Sequence, residues 1–163
     1  MKYRKKVLVT MVLIVAVLSL TGCKAKRYSD LGGMSISMSE DMRSVKNKNA
    51  TWAMTNGYIN AVGIRTDSDD LEKSGLEVNS LSDYVAAYIK GNDIPDTVTV
   101  NTEDNYIYFT YDNKESKLTY VNFFYDNEDY YWLVSFACPM GKTYDLYRKD
   151  IFKWADSVKF INN

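Results

Sequence analysis

The chain has 163 residues and a formal net charge of −1, and it contains no histidine. The lack of histidine excludes Ser-His-Asp and Cys-His catalysis and removes the commonest protein ligand of zinc. With 20 basic and 21 acidic residues the chain has no basic excess to attract nucleic acid, which we do not expect as a partner.

The first 22 residues have the pattern of a secretory signal. Four basic residues precede an apolar run from Val7 to Leu20 that only Thr10 and Ser19 interrupt. As a helix this run would measure roughly 21 Å at about 1.5 Å per residue, which is short for a hydrocarbon core of about 30 Å. We therefore interpret residues 1–22 as a cleaved signal, the alternative being an uncleaved membrane helix.

The end of this signal resembles the lipobox of bacterial lipoproteins, which here consists of Leu20, Thr21, Gly22 and Cys23. The resemblance implies cleavage before Cys23 and a diacylglyceryl group on its thiol, with acyl chains such as palmitate; we expect no other cofactor. Burial contributes about 0.8 kcal/mol per methylene, and two chains hold a protein stably where one does not. The resemblance thus predicts a lipid anchor in the cell membrane, with the protein on the extracytoplasmic face.

The remaining chain divides into a short connection and one domain. Residues 23–33 include three basic residues, lack an apolar period and end in two glycines, so we predict a lipidated N-terminus and tether. Residues 34–163 have a suitable length for a single domain. Loss of residues 1–22 removes four basic and no acidic residues, which leaves a net charge of −5. With Cys23 lipidated, Cys138 has no partner for an internal disulfide.

Apolar spacing predicts two helices. For the first, Ser80 suits the N-cap, Asp83 a variant capping box and Gly91 the C-terminal stop. The second runs from about 143 to 157, with Trp154 at the edge of its apolar stripe. The two apolar stripes consist of Leu81, Tyr84, Val85, Tyr88 and Ile89, and of Tyr144, Tyr147, Ile151, Phe152, Ala155 and Val158.

Runs of β-branched and aromatic residues predict an antiparallel meander between the helices. The last two strands of the meander are apolar at nearly every position, which predicts that both of their faces are covered. Weaker strands precede the first helix, with Asn56-Gly57 as a two-residue hairpin turn. The predicted strands cover residues 33–38, 50–55, 57–65, 97–102, 106–112, 117–125 and 130–138.

This order of elements resembles the PsbP-like fold of small bacterial lipoproteins. The resemblance covers about residues 33–161 and rests on the opening strand Met34 to Met38, the helix Leu81 to Lys90, the meander, and the closing helix that ends in Phe152 to Phe160. It implies an α+β fold, with a central antiparallel sheet of about six to seven strands and helices on both faces. It also implies accessory roles in binding to, assembling or stabilising membrane-associated complexes, and it identifies no functional residues.

Two polar features were considered as sites. Residues 67–70 begin like a calcium-binding EF-hand loop but lack the glycine at position six and the glutamate at position twelve, so a solvated loop entering a short helical turn is favoured and no metal is expected. Cys138 ends an apolar strand, which favours a small buried hydrophobe over a redox thiol.

Aromatic residues are the strongest candidates for binding. Tyrosine and tryptophan combine an apolar face with a polar tip, which suits the recognition of sugars, peptides or proteins. The alternative is that cross-strand tyrosines only stabilise the sheet, by about 0.2 to 1 kcal/mol per pair. The candidate binding residues in the meander are Tyr106, Tyr108, Tyr120, Tyr131 and Trp132.

Taken together, these features predict a membrane-anchored lipoprotein that acts as a non-enzymatic binding or accessory module of the cell envelope. Its partner would be an envelope protein or glycan. The alternative is a hydrolase of cell-wall glycan that uses carboxylates alone, for example Glu103 or Asp104. Such an enzyme needs two acidic groups about 5 to 9.5 Å apart in a concave site.

Overall fold

A computed structural model describes residues 24–128 and 130–161. The predicted signal, the lipobox residues Leu20, Thr21 and Gly22, and the predicted lipidation site Cys23 lie outside the described residues. Within the described ranges, no helix is long and apolar enough to cross a membrane.

Strands and helices follow one another in nearly the predicted order. The strands are β1 (Ala25–Tyr28), β2 (Met34–Ser39), β3 (Arg43–Ser44), β4 (Trp52–Thr55), β5 (Asn60–Asp67), β6 (Asn101–Thr102), β7 (Ile107–Asn113), β8 (Leu118–Asn127), β9 (Tyr130–Pro139) and β10 (Lys159–Phe160). The helices are α1 (Ser68–Lys73), α2 (Leu81–Gly91) and α3 (Lys142–Asp156).

Seven strands form the main sheet in the order β3-β4-β5-β9-β8-β7-β6, and each neighbouring pair is antiparallel. Strands β8 and β9 pair over ten positions, from Leu118 opposite Pro139 to Asn127 opposite Tyr130. The predicted α+β fold with a central antiparallel sheet is therefore confirmed.

The opening strand lies in a second, smaller sheet, with the order β1-β2-β10. The prediction of a tether over residues 23–33 is wrong for β1, which pairs antiparallel with β2. Arg27 Nη2 donates to Ser35 Oγ at 2.8 Å, and the Tyr28 hydroxyl lies 2.9 Å from the carbonyl oxygen of Ser39. An edge strand of this kind is held by backbone pairing and a few polar contacts, so its sequence shows no apolar period.

Both faces of the main sheet are covered, as the uninterrupted apolar strands predict. Side chains alternate along β8, so Phe123 joins the core under α3 and β2, whereas Phe124 joins the core under α1 and α2. Trp154 of α3 was predicted at the edge of its stripe, but it is buried in the first of these cores. Helices therefore pack on both faces of the sheet.

Helix α2, the first of the two predicted helices, begins at the expected residue, with Ser80 as its N-cap. The Ser80 side chain accepts a hydrogen bond from the Asp83 N–H, and the Asp83 carboxylate accepts from the Ser80 hydroxyl at 2.8 Å. Its end differs slightly, because Gly91 is the last helical residue and Asn92 is the cap.

The hairpin at Asn56 has a longer loop than predicted. Thr55 pairs with Asn60, so four residues connect β4 to β5. The Asn56 side-chain oxygen accepts from the N–H groups of Tyr58 and Ile59 at 3.0 and 2.8 Å, which stabilises the wider loop.

Strand β6 is much shorter than the predicted strand over residues 97–102. Only Asn101 and Thr102 pair with β7. The Val98 N–H donates to the Pro95 carbonyl oxygen at 3.1 Å, and the Val98 side chain packs against the core under α2. Residues 97–100 therefore form no backbone hydrogen bond to β7.

Candidate functional site

The five aromatic candidates do not share one surface. Tyr106, Tyr131 and Trp132 are 6, 8 and 1 % exposed, whereas Tyr108 and Tyr120 are half-buried. Trp132 therefore serves as core, since a side chain so deeply enclosed cannot contact a partner. Tyr108 packs against the α3-side core, and Tyr120 stacks on Tyr111 at a centroid distance of 5.2 Å.

Two clefts flank the end of the sheet formed by β6 and β7. The first, which we call the acidic cleft, has a volume of about 630 Å³ and lies between the β6–β7 turn, the end of β8 and the end of α3. Its acidic lining residues are Glu103, Asp104, Asp126 and Asp156.

Sequence reasoning selected Glu103 and Asp104, and the structure brings them to a cleft with two further carboxylates. Asp126 and Asp156 were not selected, because both are remote in the sequence from Glu103 and Asp104 and only the fold brings them to the same cleft. In the described part of the chain, no three acidic or cysteine side chains converge to hold a metal ion.

Tyr106 connects the two walls of the acidic cleft. Its hydroxyl donates to Asp156 Oδ1 at 2.8 Å. Burial, followed by the hydrogen bond to Asp156, raises the pKa of Tyr106 well above its usual value of 10.0. The hydroxyl therefore stays protonated at neutral pH and acts as a hydrogen-bond donor.

The second cleft, which we call the edge cleft, has a volume of about 610 Å³. It lies beside β7, where residues 97–100 turn away from the sheet. Its lining residues include Tyr108, Thr110 and Asp112 of β7, and Tyr144, Arg148 and Phe152 of α3.

Helical spacing explains the α3 wall of the edge cleft. Tyr144, Arg148 and Phe152 occur four residues apart, so they lie on one face of the helix. The Phe152 ring contacts Tyr108 with centroids 5.0 Å apart, and the Arg148 guanidinium lies 6.0 Å from the Phe152 centroid. Sequence analysis placed Tyr144 and Phe152 in an apolar stripe, but it did not identify Arg148.

Arg148 forms no ion pair with any described residue. Among residues 24–128 and 130–161, the ion pair that occurs joins Lys73 to Asp70, at 3.6 Å on the exposed surface of α1. Residues 67–70, which begin like a calcium loop, comprise the last residue of β5 and the first three residues of α1, so they enter a short helix as favoured from the sequence.

Cys138 lies in the core next to the edge cleft and is 0 % exposed. Burial, with a smaller contribution from the negative charge of Asp112, raises the pKa of the thiol. A thiol that is protonated and enclosed is unreactive, which agrees with the predicted buried hydrophobe.

Comparison with known proteins identifies the fold of this chain but assigns it to no family. No family model matches the sequence, and no curated protein does so. Solved structures of several proteins do match.

The structure of cyanobacterial PsbP (CyanoP) from Synechocystis sp. PCC 6803 aligns with a TM-score of 0.54 and 14 % identity, over 86 % of this chain and 95 % of that one. The yeast Ran-binding protein Mog1p, from Saccharomyces cerevisiae, aligns with a TM-score of 0.57 and 6 % identity, over 86 and 97 % of the two chains.

A protein from Bacteroides thetaiotaomicron aligns with a TM-score of 0.57 and 11 % identity, over 85 % of this chain. The present chain spans about half of that protein, 49 % of its length. At these identities the likeness establishes the fold, which is PsbP-like, and not the activity.

Proposed function

We propose that this protein is a membrane-anchored lipoprotein that acts outside the cytoplasm as a binding or accessory module of the cell envelope, without catalytic activity. The sequence of signal, lipobox and compact domain supports the location. The edge cleft is the observation that supports binding, because it combines aromatic rings with an exposed guanidinium that forms no ion pair with a described residue.

The composition of the edge cleft suits recognition. Phe152 and Tyr108 are half-buried and fixed by ring contacts, so they present apolar area with little loss of conformational entropy on binding. Arg148 is exposed, and arginine is among the residues enriched at protein interfaces. The structural neighbours include a protein named for binding Ran, which supports a binding role as compatible with this fold.

The proposal is tested by site-specific photocrosslinking in intact cells. A photoreactive residue at Tyr144, in the edge cleft, should give a discrete crosslinked species in the membrane fraction. The same residue at Glu115, on the exposed β7–β8 turn, provides the control. Absence of a species specific to position 144 would contradict binding at this cleft.

The location is tested separately, by mass spectrometry of the protein from the membrane fraction. We expect a chain that begins at Cys23 and carries the mass of a diacylglyceryl group. An unmodified Cys23 still preceded by residues 1–22 would contradict the anchor.

A hydrolase acting on cell-wall glycan is the second candidate. It is favoured by the acidic cleft, where Glu103 and Asp104 share one cavity with Asp126 and Asp156. Release of dye from labelled cell wall by the purified protein, abolished in Glu103→Gln or Asp104→Asn but not in Glu115→Gln, would establish this function and contradict the non-enzymatic proposal.

A further inference from the structure

We propose that the edge cleft binds an extended peptide segment, which adds to the main sheet as a strand beside β7 and places an acidic side chain against Arg148. This inference rests on the proposed binding function and specifies the chemical class of the partner. The unpaired backbone of β7, the shape of the cleft and the charge of its wall support this assignment.

The hydrogen-bonding pattern of the β6–β7 hairpin shows which backbone groups of β7 point outward. The Glu103 N–H donates to the Tyr106 carbonyl oxygen at 2.9 Å, so residues 103 and 106 form a hydrogen-bonded pair. Such pairs alternate along an antiparallel ladder, so Asn101 and Tyr108 form the next one.

The same alternation directs the N–H and C=O groups of Thr110 and Asp112 out of the sheet. Strand β6 ends before it reaches them, and no described residue forms a backbone hydrogen bond to this side of either residue. The register of β7 with β8 runs without a bulge from Ile107 to Asn113, so the outward direction is maintained. These groups form the template that an added strand requires.

The cleft provides room for that strand. Its volume is about 610 Å³, and it lies between β7 and the segment that was predicted to pair there. Thr97, Val98 and Thr99 form the opposite wall of the cleft, and the turn at Pro95 and the packing of Val98 keep this segment from pairing with β7. The position that a partner strand would occupy is therefore open.

The charge of the α3 wall selects among peptides, whereas the Asp112 carboxylate on the β7 wall already accepts a hydrogen bond from the Thr119 hydroxyl at 2.6 Å. Arg148 is exposed, forms no ion pair with a described residue, and is supported by the ring of Phe152. An acidic side chain on the incoming strand would supply the missing carboxylate, and guanidinium–carboxylate hydrogen bonds are stronger than neutral ones. Alternate residues of the peptide would face Tyr108 and Phe152.

The experiment uses the lipidated protein in detergent and a random peptide library as the probe. Peptides enriched on the protein are synthesised and titrated against variants at position 110. Thr110→Pro removes the N–H group that points out of the sheet and leaves the hydrogen bonds between β7 and β8 in place. Proline is tolerated at such edge positions. Thr110→Val retains the N–H and is the matched control.

We expect Thr110→Pro to weaken binding about tenfold, which corresponds to roughly 1.4 kcal/mol, and Thr110→Val to leave it unchanged. Arg148→Gln should abolish the preference for acidic peptides, whereas Lys149→Gln, on a residue outside the cleft, should retain it. Amide exchange provides a readout that does not depend on a substitution, because the N–H groups of Thr110 and Asp112 should gain protection when a peptide binds.

Failure to enrich any peptide would overturn the inference, as would enriched peptides that bind the proline variant equally or leave the two amides unprotected. Photocrosslinking at Tyr144 distinguishes this failure from failure of the proposed function. A crosslink to an envelope component without peptide binding would retain the binding function and exclude strand addition.

Discussion

The Tyr106 hydroxyl and the Asp156 carboxylate, 50 residues apart in the sequence, form a hydrogen bond of 2.8 Å that joins the turn before β7 to the end of α3. The Tyr106 ring is buried and packs edge-on against Phe123, with centroids 5.2 Å apart. The last turn of the helix is therefore fixed to the sheet by a polar and an aromatic contact at the same residue.

Substitution Tyr106→Phe should destabilise the protein by about 1 to 2 kcal/mol, because it removes a hydrogen bond to a charged group while retaining the ring. Chemical denaturation monitored by circular dichroism measures the loss. Tyr108→Phe is the control, since the Tyr108 hydroxyl has no hydrogen bond to a described residue. Equal stabilities of the two variants would contradict the role assigned to this bond.

Gly63 lies opposite Trp52 on neighbouring strands, and a Cβ atom at position 63 would overlap the Trp52 indole. The indole is held in the core, where its Nε1 lies 3.3 Å from Met34 Sδ. We expect Gly63→Ala to lower the free energy of unfolding by about 1 to 3 kcal/mol. Gly91→Ala, where the added carbon has no atom within 4 Å apart from its chain neighbours and the backbone of its own helix, should cause no loss. Thermal unfolding of the two variants makes the comparison, and a stable Gly63→Ala would contradict this packing.

Stability should decrease in alkaline solution because several tyrosines are buried. Burial is the main cause that raises the pKa of Tyr88 from 10.0 to about 12, with smaller contributions from nearby tyrosines. Above about pH 10 the unfolded chain releases this proton more readily than the folded one, so the stabilisation is complete below that pH and is lost as the pH rises through 12. Burial shifts Tyr106 and Tyr125 in the same direction.

Denaturation at about pH 8 and about pH 11 measures this loss. Tyr88→Phe should reduce the difference between the two conditions, whereas Tyr58→Phe, at a ring that is 63 % exposed, should not. The same difference in wild type and Tyr88→Phe would show that Tyr88 does not contribute.

Strand β1 should contribute to stability although it was predicted as a tether. A chain that begins at Lys24 retains the hydrogen bonds of Arg27 and Tyr28 to β2, whereas one that begins at Met34 lacks them. We expect a lower Tm for the shorter chain, measured by differential scanning calorimetry. A chain that begins at Ala25 serves as the control, since it retains all four paired residues of β1 and loses only the bond from the Glu40 N–H to the Lys24 carbonyl oxygen, so its Tm should lie close to that of the longest chain.

Local patterns in the sequence were sufficient to predict most elements of the fold. Ser80 and Asp83 identified the start of α2 because capping depends on residues three positions apart. The apolar character of β8 and β9 predicted a sheet covered on both faces, which Phe123 and Phe124 confirm. The PsbP-like resemblance rested on the same local patterns taken in order.

The two clefts are formed by contacts between residues that lie far apart in the sequence, and local sequence patterns do not reveal such contacts. Asp156 meets Tyr106 through the packing of α3 across the sheet, and Arg148 meets Phe152 and the edge of β7 for the same reason. The shortening of β6 could not be predicted either, because Val98 has a β-branched side chain suited to a strand, yet it is half-buried against the core under α2. Such choices are decided by tertiary packing rather than propensity.

Strand β2 requires backbone partners from both ends of the described chain. Met34, Ile36 and Met38 are fully buried, yet β2 is bordered by β1 on one side and by β10, residues 159–160, on the other. A nascent chain released by the ribosome before those residues have been added would leave one margin of this apolar strand open to water. Closure of the smaller sheet therefore depends on residues close to the C-terminal end of the domain, and premature termination there should yield aggregation-prone products.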